Sequence, residues 1–137
     1  MTVYGEPAPQ GSKNVYRGHL VEASKKVGPW REAVVSQVLR GGHGLNLHGP
    51  LEVRITFMFT RPKAHYLKDG LRPNAPRYVA RTPDIDKLCR STLDGLTQAG
   101  VMLDDKQVVI LHAQKIYVDE SPGAIIHIEE TDHVYIV

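Results

Sequence analysis

Leu51-Glu52-Val53-Arg54-Ile55-Thr56-Phe57-Met58-Phe59 carries apolar residues at every odd position and mostly polar ones at the even positions. Successive side chains of a strand point to opposite faces, so a period of two predicts a strand with one buried face. Further along, the period lengthens. Leu88, Thr92 and Leu96 recur every four residues beside Cys89, Leu93 and Ala99, which predicts a helix over Pro83–Ala99 ended by Gly100. Upstream, Trp30, Val34, Gln37 and Val38 mark a second helix over Pro29–Arg40, opened by Pro29 and stopped by Gly41 and Gly42. Shorter strands are expected at residues 1–6 and 14–23, around the turn Pro7-Ala8-Pro9-Gln10-Gly11-Ser12. Two more are expected at Gln107–Val118 and Ala124–Glu129, separated by Ser121-Pro122-Gly123. The sum is an α+β fold, one domain over residues 1–137, with a mixed or mainly antiparallel sheet and two main helices.

With 42% hydrophobic and 23% charged residues, the 137-residue chain has ordinary globular usage, which excludes intrinsic disorder and a coiled coil. No apolar run approaches the roughly 18 residues of a membrane span. Residues 1–20 lack the apolar stretch of a secretory signal, and the single cysteine, Cys89, forms neither an internal disulfide nor a zinc cage. A cytoplasmic protein is expected. Net charge is only +2, but its distribution is uneven. From Arg61 to Arg90 eight basic residues face three acids, whereas Ile116–Val137 holds five acids and no Lys or Arg. The basic window coincides with a long excursion, Thr60–Thr82, punctuated by Pro62, Gly70, Pro73 and Pro76. Long loops in compact domains are usually functional or mobile. A basic segment next to clustered carboxylates suits a metal enzyme acting on a polyanion, and also suits an ordinary solvated loop.

Those carboxylates are Asp84 and Asp86 at the start of one predicted helix, and Asp104 and Asp105 just beyond its end. A helix of this size is roughly 21–24 Å long. The two pairs therefore meet only if the chain turns back after Gly100, and Val101–Leu103 spans at most about 10–11 Å. If they meet, oxygen ligands with no thiol partner suit Mg²⁺ or Mn²⁺. The competing readings are a helix cap at Asp84 or Asp86 and a simple turn at Asp104-Asp105.

The stretch Pro83-Asp84-Ile85-Asp86-Lys87-Leu88-Cys89-Arg90, then Leu93-Asp94-Gly95-Leu96, then Asp104-Asp105-Lys106-Gln107-Val108 and Lys115 resembles the RusA-type Holliday junction resolvases, common in phages and prophages. That family shows a D-x-D-N-x-x-K opening, an L-D-x-L helix and a D-D-x-Q-V segment followed by lysine. The resemblance implies a homodimeric, Mg²⁺-dependent endonuclease with a mixed α/β fold that resolves four-way DNA junctions by nicking two opposed strands, in DNA recombination and repair. It assigns Asp84, Asp86 and Asp105 to the metal, Mn²⁺ being the other candidate ion. Two positions depart from the pattern: Lys87 replaces the Asn, and Arg90 replaces the functional Lys. Arginine stays protonated and holds a phosphate through two bonds, but does not exchange a proton near neutral pH.

On this reading Asp84, Asp86, Asp105 and Arg90 are the catalytic set. Lys63, Lys68, Arg72, Arg77, Arg81 and Lys87 are expected to contact the phosphates of branched DNA, with Lys13 and Arg17 as lesser candidates. Tyr66 and Tyr78 are base-stacking candidates. Asp94 reads as a structural or surface residue, more than two turns from Asp86. Lys115 reads as a solvated strand lysine or a phosphate contact. Trp30 and Cys89 read as core, His112 and His127 as packing or edge residues, and His43 and His48 as loop residues without a third ligand. The rival functions are a junction-binding module that does not cleave and a small metal-binding scaffold.

Overall fold

The computed structural model describes residues 1–11, 13–16, 19–22, 25–42 and 46–131. Arg17 and His43 lie outside them, as does the side chain of Lys13. In chain order the elements are β1 (Thr2–Tyr4), β2 (Lys13–Tyr16), β3 (His19–Glu22), α1 (Val27–Gly41), β4 (Leu51–Thr60), β5 (Tyr66–Leu67), β6 (Gly70–Leu71), α2 (Ile85–Gln98), β7 (Val108–Val118) and β8 (Gly123–Glu130).

Four strands form the main sheet, in the order β1-β8-β4-β7. β8 runs antiparallel to both β1 and β4, while β4 and β7 are parallel. Parallel neighbours need a long crossover, which here contains α2. The alternation in β4 is realised directly: Leu51, Val53, Ile55 and Phe57 are buried under the helices. Arg54 faces the opposite way, in register with His112 on β7 and His127 on β8. Both histidines are therefore on the open face, His112 near Glu52 and His127 near Glu129, rather than in the packing.

α1 buries Trp30, Val34 and Val38, and α2 buries Leu88, Cys89, Leu93 and Leu96, in one core with the sheet. The Trp30 indole N–H donates to the Thr92 hydroxyl at 3.1 Å, so its one polar atom is satisfied in the core. The N-terminal turn lies against α2, where Gln10 N–H donates to Lys87 O and the Ser91 hydroxyl donates to Ala8 O.

The excursion is well tied down. A 3-10 turn (Lys63–His65) leads into the β5–β6 hairpin. The returning chain then pairs along the outer edge of β7, with Val79 N–H donating to Lys115 O and Tyr117 N–H to Arg77 O. Arg61 is almost buried and donates to Pro76 O, so it serves the loop's structure and is withdrawn from solvent. Tyr66 is likewise engaged, its hydroxyl bonded to Asp119. Tyr78 stays half exposed beneath the Arg77 guanidinium. Among the described residues no helix is long and apolar enough to cross a membrane.

Candidate active site

Lys115 reaches out of β7 to the segment that enters α2. Its ammonium donates to Arg81 O and Pro83 O, both at 2.7 Å. Through these two bonds Lys115 holds the loop that ends at Asp84. Asp84 occupies the N-cap position of α2, but its side chain makes no capping hydrogen bond. Its carboxylate lies 3.7 Å from the Lys87 ammonium and is mostly exposed. Asp86, Arg90 and Asp94 follow at i, i+4 and i+8 along one face of α2, a face that stays outside the core.

The second acid pair arrives by a reversal. Gly100 takes φ +84°, a conformation that costs other residues a Cβ clash, and Val101 N–H bonds back to Leu96 O. Asp104 then caps a 3-10 turn (Asp105–Gln107) by accepting from Lys106 N–H at 2.9 Å. The Gln107 side-chain carbonyl accepts from the backbone N–H groups of Leu103 and Asp104, and its amide donates to Leu47 O and Gly49 O. Asp104 and Gln107 are consumed in building the turn. Asp105 is the member left to face α2.

Its surroundings follow from that direction. Partial burial first, then Asp104 and the nearby Asp94, push the Asp105 carboxyl up from its ordinary value, while Arg90 opposes them. Asp104 moves the other way, held down chiefly by the Lys106 N–H. Asp105 shares a cleft with Arg90 and Asp94, so it meets α2 along its length instead of at the far end of the rod.

Asp86, Arg90 and Asp105 line one open cavity of about 490 Å³, together with Ile85, Cys89, Leu93, Leu111 and Ala113. Asp84 lines a neighbouring cavity with Lys87 and the Pro7–Pro9 turn. The structure thus joins Asp86, Asp105 and Arg90 in one cavity, and places Asp84 in another, paired with Lys87. Asp94, read from sequence as a surface or structural residue, lines a polar cleft with Arg90 and Asp105. Its four-residue spacing from Arg90, itself four from Asp86, was the available signal. Arg31 of α1 lines the same cleft, and no pattern local to α1 points there. Lys63, Lys68, Arg72, Arg77 and Arg81 are all exposed on the excursion, although Arg72 also donates to Ala64 O.

Among the described residues no group of three His, Cys, Asp or Glu side chains is close enough to hold a metal ion on its own. Mg²⁺ does not require such a cage: it is commonly bound by one or two carboxylates, with waters and substrate phosphate completing its shell. An oxygen-only pair, Asp86 and Asp105, in a cavity where like charges already crowd Asp105, fits that mode of binding.

A family model described as Endodeoxyribonuclease RusA matches residues 5–129 of the chain. No curated protein matches it.

Proposed function

The chain belongs to the RusA endodeoxyribonuclease family, and from that premise we propose that it resolves four-way DNA junctions by paired nicks in opposed strands, as a Mg²⁺-dependent homodimer acting in recombination and repair. The observation that carries this reading is the convergence of Asp86, Arg90 and Asp105 on one cavity. Asp86 and Asp105 hold the divalent ion, with Asp84 as the third acid on the adjoining loop. Mn²⁺ offers similar coordination chemistry. When bound, the ion supplies Lewis-acid polarisation of the phosphodiester and a more acidic attacking water. Arg90 offers its planar fork of N–H groups to a non-bridging phosphate oxygen and offsets the carboxylates. Being permanently protonated, it contributes charge and orientation, not proton transfer. Lys63, Lys68, Arg72, Arg77 and Arg81 present cations to the DNA arms, and such contacts fix orientation without reading bases. Lys87 balances Asp84 and is shared between the acid loop and the substrate. Two equivalent sites related by a two-fold axis match the near two-fold symmetry of a junction. The proposed setting is the cytoplasm of a bacterial or phage-infected cell.

The test is cleavage of a labelled four-way junction in Mg²⁺ and in EDTA, with affinity and light-scattering mass measured on the same preparations. Wild type should cleave only with metal and have about twice the 15.3 kDa chain mass. Asp84→Asn, Asp86→Asn and Asp105→Asn should each lose at least about 100-fold in rate, several kcal/mol of lost ion stabilisation, while still binding the junction. Junction binding without cleavage by wild type would establish a recognition module instead. Wild-type rates in Asp86→Asn and Asp105→Asn would remove the mechanism.

A further inference from the structure

A polar cleft of about 540 Å³ lies beside the acid cavity. Arg31 of α1 and Lys87, Arg90 and Asp94 of α2 line it, together with Asp105. Arg90 and Asp105 also line the Asp86 cavity, so the two spaces adjoin at the residues assigned to the reacting phosphate and to the divalent ion. Arg31 is half-buried, and among the described residues it has no hydrogen bond or ion pair. A partly buried guanidinium gains most from an anion that accepts two of its N–H groups.

The position of Arg31 follows from the way the helices approach. A Cβ at Gly95 would stand 3.1 Å from Val34 Cβ and 3.5 Å from the Arg31 carbonyl oxygen. Gly95 thus lets α1 come close to α2 at Arg31, and Asp94, the residue before Gly95, shares the cleft with it. Three cations face two carboxylates there, so the cleft carries a net positive charge.

Building on the nuclease reading, we infer that this cleft receives a backbone phosphate of the cleaved strand, next to the scissile one, and that Arg31 binds it. α1 is then part of the substrate channel as well as the core. Arg31 holds the strand from the helix opposite Arg90, and so helps to keep the scissile bond at Asp86 and Asp105.

The experiment is equilibrium binding of the full chain to a four-way junction, and to a duplex of the same sequence, in EDTA over a salt series. Wild type, Arg31→Gln, Arg31→Lys and Arg40→Gln are compared, and melting temperatures are recorded for each. Arg31→Gln should bind about tenfold more weakly, as expected for one charge-assisted contact, and its log–log salt slope should fall by about 0.7–0.9 per arginine removed. Arg31→Lys should keep the slope and lose several-fold in affinity, because the point charge remains and the fork does not. Arg40→Gln removes the same charge from the far end of α1 and should match wild type. Should Arg31→Gln melt early, Arg31→Lys decides: wild-type affinity there overturns the inference. So does wild-type affinity and slope in a well-folded Arg31→Gln. Binding to duplex without junction preference would defeat the resolvase reading while leaving the Arg31 comparison decisive. Absence of binding to either DNA would defeat both.

Discussion

Replacing Lys115 with Met keeps the aliphatic stem and removes the ammonium that bridges Arg81 O and Pro83 O. Both bonds measure 2.7 Å, but their surroundings differ: the first is exposed and the second partly buried. Water can replace the ammonium at Arg81 O, so that loss is small. The bond to Pro83 O is charge-assisted and partly shielded, and such bonds contribute about 1.5–3 kcal/mol. Taking about 2 kcal/mol, and roughly 2.1 cal/mol/K of unfolding entropy per residue over the chain, the melting temperature should fall by about 7 °C. The same tether sets the approach to Asp84. Lys115→Met should therefore raise the Mg²⁺ concentration needed for half-maximal junction cleavage, with junction affinity in EDTA changed little. Lys115→Arg keeps the charge and should recover part of both effects. The measurements are thermal melts and cleavage rates over a Mg²⁺ titration. A melting temperature within about 2 °C of wild type, with an unmoved Mg²⁺ midpoint, would refute the tether.

Gly95→Ala sets a helix-propensity gain of about 1 kcal/mol against a Cβ 3.1 Å from Val34; overpacking of this kind costs about 1–3 kcal/mol, so denaturant unfolding should show no gain and a net loss of up to about 2 kcal/mol. A clearly stabilised variant would mean that the helices have slack at this point. Cys89 is pushed up to about 11 by burial first and by the Asp86 carboxylate second. Alkylation at pH 8 should therefore be slow and rise about tenfold per pH unit towards pH 11; a free-thiol rate at pH 8 would contradict the burial. The sign for stability is the same at every step: above the unfolded thiol's pKa the folded state holds the extra proton, so stability declines from about pH 9 to pH 11.

Residues that report only on their own element were legible in the sequence. The alternation of Leu51–Phe59 gave β4 its buried face, and the four-residue repeat of Leu88, Thr92 and Leu96 placed α2, because period is a local property of the backbone. The observed helices differ from the expected ones by one or two residues at each end, as helix ends usually do. The acids of the site were also visible as types and spacings. Their arrangement was not. That Asp104 caps a turn while Asp105 faces α2 depends on Gln107 reaching Leu47 and Gly49, some 60 positions away in the chain. Lys115 read as a solvated strand lysine or a phosphate contact, and only the pairing of the returning chain along the outer edge of β7 sets it beside the Arg81–Pro83 loop. Asp94 looked remote from the site when distance was counted from Asp86 along the helix; Asp105 folds back to share a cleft with it. Arg31 joins the cleft only because Gly95 lets two helices approach, a contact between residues 64 apart. Chain-local energetics select strands, helices and turns, but which side chains become neighbours is decided by burying the apolar faces of those elements together, and that packing depends on all of them at once.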